Sequence, residues 1–498
     1  MSRYTPDKWP ARSPLFDRCA ATPNRAAVIA PQDTECLTYA DLAKQVSHVA
    51  DGLWQFAQEH GLVGDQLRVG YLFQPGIPFV TTLYALWEVG WTAVGIQQTL
   101  TADETETHAA IAGVDMLVVG AGSQTVPDAI DCPTVTADSL IQHTPAATVD
   151  QRPAQWERDE TALILFTSGT TGRPKAVRLT LGNLVASATA SAFRFGLDAR
   201  DRWLCCLPVS HMGGLAPAVR TVCYGTTLVL QPEFDPSATA TVLNDRQITQ
   251  VSLVPTQLKR LLEHGWRPST SLDTVLLGGA PTTEELLTRA NEAEVPVYTT
   301  YGMTETASGI SVARPAQQER YPGTVGQPLV GTTVTILNDR TPAAPGVEGE
   351  IVVDGPTVTP GYLDEAATES RFSEYGFHTG DLGYQDEAGR LWVNGRVDDV
   401  INTGGELVSP AGVVDVLLSL ETVADAAVVG VPDEKWGERV SAIVVPAEGT
   451  DTTEQRLRER CRDNLAPYKV PKLIQFEERV PRTASGTVDR EAVRRQLE

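Results

Sequence analysis

The chain has 498 residues, of which 42% are hydrophobic and 21% are charged, and its formal net charge is -23. Its length exceeds the roughly 250 to 300 residues at which a single hydrophobic core stops growing, so we expect at least two domains. The acidic balance, without any run rich in lysine and arginine, argues against a nucleic-acid-binding protein and against binding to anionic membranes.

The composition also bears on the compartment. Only seven of the 40 basic residues are lysines, which together with the acidic excess suggests a halophilic cytoplasm where salt weakens self-repulsion. A mesophile with high genomic GC content is the alternative. The seven cysteines include no C-x-x-C pair, so reduced cytosol fits better than a disulfide framework or a zinc site. Because neither a signal peptide nor a long apolar segment is evident, we expect a cytoplasmic protein without membrane insertion.

The first two thirds of the chain predict alternating helices and strands. Residues 38–58 place Leu42, Val46, Val49 and Leu53 at helical spacing. Apolar runs typical of buried strands lie at 67–73, 116–120, 162–166, 227–230, 249–254 and 274–279. Strands that alternate with helices predict a mainly parallel α/β architecture.

The pattern changes twice towards the C-terminus. From about residue 320, short strands and Gly/Pro turns predict a β-rich subdomain. After residues 389–401 the elements shorten again, which predicts a compact α+β unit. We therefore expect a large N-terminal domain, residues 1–396, built of parallel-type α/β layers with the β-rich subdomain, and a small C-terminal domain, residues 397–498. The stretch 121–160 is interpreted as a loose surface segment.

The segment LILFTSGTTGRPKAV, residues 163–177, runs from an apolar strand into a loop of Gly, Ser and Thr. Glycines let backbone amides converge on an anion, the hydroxyls of Ser168, Thr170 and Thr171 add donors, and Lys175 adds a positive charge. This composition predicts a polyphosphate site, although the Walker A pattern is absent. A flexible surface turn is the alternative.

A second motif, TTYGMTET at residues 299–306, carries groups suited to a nucleotide. The ring of Tyr301 suits adenine stacking, because an aromatic face packs well on a base. The hydroxyl of Thr304 beside the carboxylate of Glu305 suits a Mg²⁺ ion that bridges phosphate oxygens. Taken alone, the motif is equally compatible with an ordinary turn.

A third motif, FHTGDLG at residues 377–383, places Asp381 in a loop bracketed by glycines. Its carboxylate is suited to accept hydrogen bonds from both hydroxyls of a ribose. Arg396 follows in GRVDD and could donate to the sugar or to a phosphate. An aspartate in a glycine loop is usually a turn-former, so the order of the motifs carries the argument rather than any one of them.

Six motifs in order resemble those of the adenylate-forming superfamily, which includes acyl- and aryl-CoA ligases, peptide-synthetase adenylation domains and luciferases. They are TSGTTGRPK, YGMTET, GEIVVDGPTVTPGY, TGDLG, GRVDDVINTGGE and PRTASGTVDR, and they cover essentially the whole chain. The resemblance implies a mobile C-terminal domain and a two-step reaction with ATP, Mg²⁺ and coenzyme A. A carboxylic acid and MgATP give an acyl-adenylate and pyrophosphate, and the CoA thiol then displaces AMP. The sequence leaves the oligomeric state open, and a homodimer is compatible with it.

The resemblance implies roles for individual residues. Those at the phosphates and Mg²⁺ are Thr167, Ser168, Gly169, Thr170, Thr171, Gly172, Lys175, Thr304 and Glu305. Those at the nucleoside are Gly278, Gly279, Ala280 and Pro281 beside the adenine, Tyr301 stacked on it, and Asp381 and Arg396 at the ribose. Those of the second step are Asp398, at the position of the hinge, and Gly404 and Gly405, which resemble the glycines that admit the pantetheine arm.

Within the superfamily, residues 207–230 resemble the 2-succinylbenzoate:CoA ligases of menaquinone synthesis. These enzymes have a histidine at the acyl pocket where this chain has His211, and a basic residue where it has Arg220. Ser308 is a further candidate for this pocket. A second substrate carboxylate needs such a counter-charge; a core histidine and a solvated helix arginine are the alternatives. The alternative functions are another aryl- or medium-chain acyl-CoA ligase and a non-catalytic protein that binds AMP or acyl-adenylate.

The closing motif departs from the superfamily at Thr487, where a catalytic lysine normally bridges the carboxylate and the α-phosphate. The substitution could be natural and compensated, it could be engineered, or the protein could be a degenerate nucleotide binder. We favour a natural, active enzyme, because every other motif is intact. The cations that could compensate are Arg482, Arg490 and Lys469.

We predict that Thr487→Lys raises the rate of adenylation, because it restores a charge that stabilises the transition state. Loss of a comparable donor costs on the order of 10² to 10³ in rate. Acid-dependent pyrophosphate exchange measures this step, and thioester formation from preformed adenylate, which should change little, is the control. An unchanged or lower exchange rate would show that another residue already supplies the charge.

Overall fold

The computed structural model describes residues 12–30, 35–62, 64, 66–120, 130, 132–142, 154–157, 159–167, 173–433, 435–482 and 488–498. Its helices are α1 (Pro14–Ala21), α2 (Tyr39–Glu59), α3 (Ile77–Val89), α4 (Ala102–Ala112), α5 (Ala137–Gln142), α6 (Leu181–Phe195), α7 (Met212–Tyr224), α8 (Pro236–Asp245), α9 (Pro255–Glu263), α10 (Glu284–Glu292), α11 (Pro315–Arg320), α12 (Glu365–Glu369), α13 (Pro410–Leu418), α14 (Glu454–Asn464) and α15 (Arg490–Leu497).

The strands of the large domain are β1 (Ala26–Ala30), β2 (Glu35–Thr38), β3 (Arg68–Leu72), β4 (Thr92–Gly95), β5 (Met116–Val119), β6 (Thr134–Thr136), β7 (Thr161–Thr167), β8 (Lys175–Thr180), β9 (Arg202–Cys205), β10 (Thr227–Leu230), β11 (Gln250–Leu253), β12 (Thr274–Leu277), β13 (Val297–Tyr301), β14 (Ser311–Ala313), β15 (Gln327–Pro328), β16 (Thr333–Asn338), β17 (Thr341–Pro342), β18 (Gly349–Asp354), β19 (Gly361–Tyr362), β20 (Phe372–Ser373), β21 (Gly376–Gln385) and β22 (Leu391–Arg396). Those that follow are β23 (Ile401–Thr403), β24 (Glu406–Val408), β25 (Val423–Asp433), β26 (Gly437–Pro446) and β27 (Leu473–Phe476). Short 3-10 turns lie at Thr304–Thr306, Val397–Asp399 and Pro467–Lys469.

Two mixed sheets form the body of the large domain. Within the described residues one has nine strands in the order β15-β14-β13-β12-β11-β9-β10-β1-β2, and the other has seven in the order β19-β8-β7-β4-β3-β5-β6. Their central strands run parallel, and the antiparallel pairs lie towards the edges. The predicted α/β architecture is confirmed, as are the six predicted strands, which are β3, β5, β7, β10, β11 and β12.

Helix α3 is the central buried element of this domain. Ten of its 13 residues are buried, as expected for a helix covered on all sides. Its aromatic side chains also satisfy their polar tips: Trp87 donates to the carbonyl of Ala162 at 2.9 Å and Tyr84 to that of Ala218 at 3.1 Å. These bonds tie α3 to the start of β7 on one side and to α7 on the other. The helix predicted at 38–58, which is α2, packs against α3.

The remaining sheets correspond to the predicted β-rich subdomain and C-terminal unit. In the part of the chain that the structure describes, six antiparallel strands join as β17-β16-β18-β21-β20 with β22 beside β21. A five-stranded sheet, β24-β23-β26-β25 with β27 beside β26, follows. Along β25, Ala426 and Val428 face the side of α13 and α14, whereas Ala427, Val429 and Val431 face α15. The period of two places apolar residues on both faces, so helices cover both.

The last helix begins later than its sequence predicts. The sequence PRTASGTVDR predicts a helix from Val488 to Leu497 with Thr487 as its N-cap, but α15 begins at Arg490 and Asp489 is its N-cap, with Oδ1 accepting from the amide of Ala492 at 3.0 Å. Val488 instead forms an isolated antiparallel bridge with Arg482. Aspartate is as good an N-cap as threonine, and this bridge holds Val488 in an extended conformation. Thr487 itself lies outside the described residues.

Two further expectations bear on the surface. Within the stretch 121–160, the described residues include β6 and α5, so part of it is regular structure rather than a loose segment. Among all helices of the described ranges, none combines the length and the apolar character that crossing a membrane requires.

We predict that Asp489→Ala destabilises α15 by about 1 kcal/mol, because an amide of the first turn loses its acceptor. Amide hydrogen exchange in α15 should then be roughly fivefold faster in native conditions. Asp489→Asn is the matched control, because its side-chain carbonyl still caps the helix. Equal exchange in the alanine variant would show that packing on β25 alone sets the start of α15.

Candidate active site

The predicted motifs converge where the three sheets of the large domain meet. Strand β13 ends at Tyr301, β19 ends at Tyr362, and β21 carries Asp381, so each sheet contributes one side chain. In open α/β sheets such a crevice outside the carboxyl ends of parallel strands is the usual place for a ligand.

Asp381 is held from two sides. The hydroxyl of Tyr301 donates to its Oδ2 at 2.6 Å, and Nε of Arg396 lies 3.4 Å from its Oδ1. Asp381 and Arg396 are also register partners across β21 and β22. Burial raises the pKa of the Asp381 carboxyl, and the Tyr301 hydrogen bond and Arg396 oppose this rise. The carboxylate is thus fixed in orientation, and Tyr301, Asp381 and Arg396 lie together.

Glu305 forms a second fixed carboxyl. It lies in the buried turn Thr304–Thr306, and Tyr362 donates to its Oε1 at 3.0 Å. Burial raises the pKa of Glu305, and the Tyr362 hydrogen bond, Arg396 and Lys175 oppose this rise. Lys175 opens β8 with Nζ 5.4 Å from the centre of the Tyr362 ring. Lys175 and Glu305 therefore both lie next to Tyr362.

A tight backbone crossing shapes this turn. A Cβ atom on Gly302 would overlap the carbonyl oxygen of Ser308, so only glycine fits there. Ala307 and Ser308 adopt φ of 48° and 107°, values that L-residues rarely take. Such strain costs on the order of 1–3 kcal/mol per residue and persists only where the surroundings impose it. The strained backbone sets the positions of Glu305 and Ser308 within one short turn.

Arg220 and Ser308 meet in a separate buried region. Nη2 of Arg220 donates to Oγ of Ser308 at 3.2 Å, and its guanidinium lies 5.3 Å from the centre of the Trp203 ring. The arginine is only 3% exposed, and its Nε has no hydrogen-bond partner among the described residues. Burial lowers its pKa. The alternative of a solvated helix arginine is therefore wrong.

His211 is the N-cap residue of α7, at the opposite end of the helix from Arg220. Nine residues correspond to roughly 13 Å of helix, so the two side chains are not adjacent. Burial lowers the pKa of the imidazole, and within the described ranges Nε2 is buried without a hydrogen-bond partner. A satisfied core histidine would have one. His211 therefore has a ring nitrogen that is available to a ligand.

The other predicted residues are distributed around these groups. Gly278 to Pro281 follow β12, where a Cβ on Gly278 would lie 2.5 Å from Cγ2 of Thr300, so this strand end packs tightly on β13. Asp398 is exposed in the turn Val397–Asp399. Gly404 and Gly405 form the turn between β23 and β24. Thr167 ends β7; Ser168, Gly169, Thr170, Thr171, Gly172 and Thr487 lie outside the described residues.

The three cations considered as substitutes for a lysine at 487 lie in different surroundings. Arg482 pairs with Asp425 at 3.0 and 2.8 Å, and Lys469 lies 5.8 Å from the centre of the Tyr468 ring. Arg490 opens α15 with Nη1 2.8 Å from Oδ2 of Asp399, next to Asp398. Its pKa is lowered by burial and raised by Asp399 and, more weakly, by Asp381. Of these three cations, Arg490 is the one whose pKa is affected by the Asp381 carboxylate.

Sequence reasoning named Arg490 but missed three contributors: Tyr362, Arg371 and Asp399, the partner of Arg490. Tyr362 is the last residue of the GEIVVDGPTVTPGY motif, so its place in a recognised motif was a signal that could have identified it. Nothing near Arg371 in the sequence indicates a site, because its partners come from β8 and β21.

Comparison with known proteins agrees with this geometry. The family model described as AMP-binding enzyme matches residues 15–363, and the AMP-binding enzyme C-terminal domain matches residues 415–487. The 2-succinylbenzoate–CoA ligase of Bacillus cereus is 37% identical over 487 residues, which cover 97% of this chain and 98% of that protein.

Solved structures of the o-succinylbenzoate CoA synthetase of Bacillus subtilis are similar over nearly the whole length. The complex with the acyl-adenylate intermediate has a TM-score of 0.90 at 34% identity and covers 98% of each chain. The complex with ATP and a magnesium ion has a TM-score of 0.89 at 34% identity and covers 97% of this chain and 99% of that one. The chain described here therefore belongs to the AMP-binding enzyme family.

Proposed function

We propose that the protein is an ATP-dependent acid:CoA ligase that converts 2-succinylbenzoate to 2-succinylbenzoyl-CoA through an acyl-adenylate. The observation that carries the choice of acid is the buried guanidinium of Arg220, which in the described part of the chain pairs with no carboxylate. A buried charge without a partner is costly, and a substrate carboxylate would supply the partner. A dicarboxylate leaves one carboxyl for the reaction and one for Arg220.

The acid pocket is proposed to lie between α7 and the turn at Ser308. Ser308 Oγ accepts from Arg220, which orients the guanidinium without neutralising it. The Trp203 ring contacts the same guanidinium and offers an apolar wall for an aromatic acid. The unpartnered Nε2 of His211 is proposed to hydrogen-bond the acid from the other end of α7. Ser308 also adjoins Glu305, so acid and nucleotide would meet at one turn.

The nucleotide is proposed to lie across the three sheets. Asp381, oriented by Tyr301 and Arg396, would accept from the ribose hydroxyls, and the tight end of β12 at Gly278 to Pro281 would border the adenine. Thr167 and Lys175 flank the proposed phosphate loop, whose remaining residues lie outside the described ranges. Gly404 and Gly405 are proposed to line the approach of coenzyme A.

The residues at Thr304 and Glu305 fit a Mg²⁺ ion. Hydroxyl and carboxylate oxygens are the hard ligands that Mg²⁺ takes, usually together with waters and substrate phosphates. Tyr362 occupies only Oε1 of Glu305. Groups of three or more His, Cys, Asp or Glu side chains able to hold a metal are absent from the described residues, which suits an ion bound largely by phosphates. When bound, Mg²⁺ would neutralise charge on the phosphate oxygens.

We also propose that the domains divide at residues 396 and 397 with a hinge near Asp398. Arg396 ends β22, and the turn Val397–Asp399 exposes Asp398 before the next sheet begins. Rotation there would let one small domain serve adenylation and then thioester formation.

The setting of the protein is also a proposal. A reduced cytoplasm fits the unbridged buried thiols of Cys205, Cys206 and Cys461. A halophilic source is supported by the net charge of -23 and the scarcity of lysine. A homodimer is proposed on the exposed apolar side chains of Phe193, in the last turn of α6, and Leu197, just beyond the end of this helix.

Thr487 favours a second candidate function, a protein that binds AMP or acyl-adenylate without turnover. Release of AMP with CoA and a panel of aryl and medium-chain acids separates the candidates. Turnover of 2-succinylbenzoate supports the proposal, and turnover of another acid supports a different acyl-CoA ligase. Nucleotide binding without turnover of any acid would support the non-catalytic protein.

We predict that Arg220→Met lowers kcat/KM for 2-succinylbenzoate at least 30-fold, because removing one member of a buried charge pair costs about 2–5 kcal/mol. With a matched acid that lacks the second carboxylate, kcat/KM should fall little in this variant. Arg220→Lys keeps the charge without the planar fork, so its kcat/KM for 2-succinylbenzoate should lie between those of the wild type and of Arg220→Met. Equal losses with both acids would mean that Arg220 only supports the fold.

We predict that Glu305→Gln weakens Mg²⁺ binding by roughly tenfold or more, because interactions with a charged partner contribute about 1.5–3 kcal/mol. Glutamine still accepts the Tyr362 hydrogen bond, so packing is kept. The measurements are Mg²⁺ titration of pyrophosphate exchange and the shift of melting temperature between ATP and MgATP. Tyr362→Phe, which keeps the charge, is the control and should have a smaller effect. An unchanged Mg²⁺ requirement would remove Glu305 from the metal site.

A further inference from the structure

Two arginines converge on one glycine beside the ribose-binding carboxylate. A Cβ atom on Gly380 would lie 2.8 Å from Nη1 of Arg371 and 3.5 Å from Nη2 of Arg396. Gly380 has a φ of 75°, so a side chain there would be strained as well as crowded. The missing side chain leaves room for two like-charged guanidinium groups at the same turn.

Arg371 forms no ion pair within the described residues. In the described residues Arg371 takes part in none of the ion pairs or side-chain hydrogen bonds, whereas Arg396 pairs with Asp381 and the Glu305 carboxyl accepts from Tyr362. Arg371 is nevertheless held in place: its amide donates to Thr368 at 3.0 Å, and its carbonyl accepts from His378 at 2.8 Å. A partly buried cation on a fixed backbone, without a carboxylate, indicates a ligand anion.

Arg371 belongs to the phosphate side of the site. The pKa of Lys175 lies below its ordinary value, first because of burial and second because of the Arg371 guanidinium. Arg371 also acts on Tyr362, which adjoins both Lys175 and Glu305. Arg490, by contrast, pairs with Asp399 at the hinge. The two arginines thus interact with different groups of the site.

Lys175, Arg371 and Arg396 therefore surround one place where two of the nearby carboxylates already have partners. Such a surplus of cations fits an anion with several charges, and guanidinium groups bind phosphate oxygens in a bidentate manner. Resting on the function proposed above, we propose that Arg371 binds the β- and γ-phosphates of ATP and the pyrophosphate that leaves.

The proposed role concerns the leaving group. The acid carboxylate oxygen bonds to the α-phosphorus while the bond from that phosphorus to the bridging oxygen breaks. The pyrophosphate takes the electron pair of the broken bond, so its negative charge increases in the transition state. A cation fixed beside these oxygens stabilises that charge.

Binding of magnesium pyrophosphate and of AMP to the full-length protein tests this role by calorimetry. Arg371→Met should weaken binding of magnesium pyrophosphate by about tenfold to a hundredfold, the range for a lost charged hydrogen bond. AMP, which lacks the β- and γ-phosphates, should bind as in the wild type. Arg371→Lys should restore part of the affinity. Arg246→Met, on an exposed residue at the amino-terminal edge before β11, is the matched control and should change neither ligand.

Unchanged binding of magnesium pyrophosphate by Arg371→Met, or equal losses for pyrophosphate and AMP, would overturn the inference. If the methionine variant does not fold, the lysine variant decides: its pyrophosphate affinity should lie below that of the wild type, and equal affinity contradicts the proposal. Acid-dependent exchange by the wild type tests the proposed function separately. If the wild type shows no exchange but Arg371→Met still loses pyrophosphate affinity, the proposed role of Arg371 is supported and the proposed ligase function is rejected.

Discussion

Two tyrosine hydroxyls hold three sheets together at the site. Tyr301 at the end of β13 donates to Asp381 of β21, and Tyr362 of β19 donates to Glu305 in the turn after β13. Each bond joins a carboxyl from one sheet system to a strand end of another, in surroundings where burial raises the pKa of both carboxyls. A hydrogen-bonded carboxylate in such a place is oriented, so the two bonds fix where ribose and metal would be held.

Two arginines of the site also form no ion pair within the described residues. Arg220 is buried at one end and Arg371 partly buried at the other, and neither pairs with a carboxylate in the described residues. Both cost free energy in the empty protein, because a cation is desolvated without a partner. A protein that retains two such costs gains binding energy when anions arrive at both ends. Binding of a dicarboxylic acid at Arg220 and of a polyphosphate at Arg371 would give each arginine an anionic partner and so remove both costs.

The sequence predicted the fold well and the site in part. Buried strands such as β5 and β12 are short apolar runs between polar turns, so local pattern was enough to find them. The Asp381–Arg396 pair follows from two nearby motifs. The proposed role of Arg371 could not be predicted from the sequence, since it depends on the turn at Gly380 and on Lys175, which lies far earlier in the chain. The predicted start of α15, residue 488, was wrong by two residues, because Thr487 and Asp489 are both good N-caps.

The absence of a lysine at 487 shifts attention to the ion pair between Arg490 and Asp399. It links the first residue of α15 to the turn Val397–Asp399, and Arg396 and Asp381 also act on the pKa of Arg490. The arginine side chain is 41% exposed and that of Asp399 is 13% exposed, so the pair is only partly screened by solvent. Both residues follow the proposed boundary at 396 and 397, so the pair would move as one with the small domain. It would therefore keep the start of α15 next to the proposed hinge turn in both half-reactions.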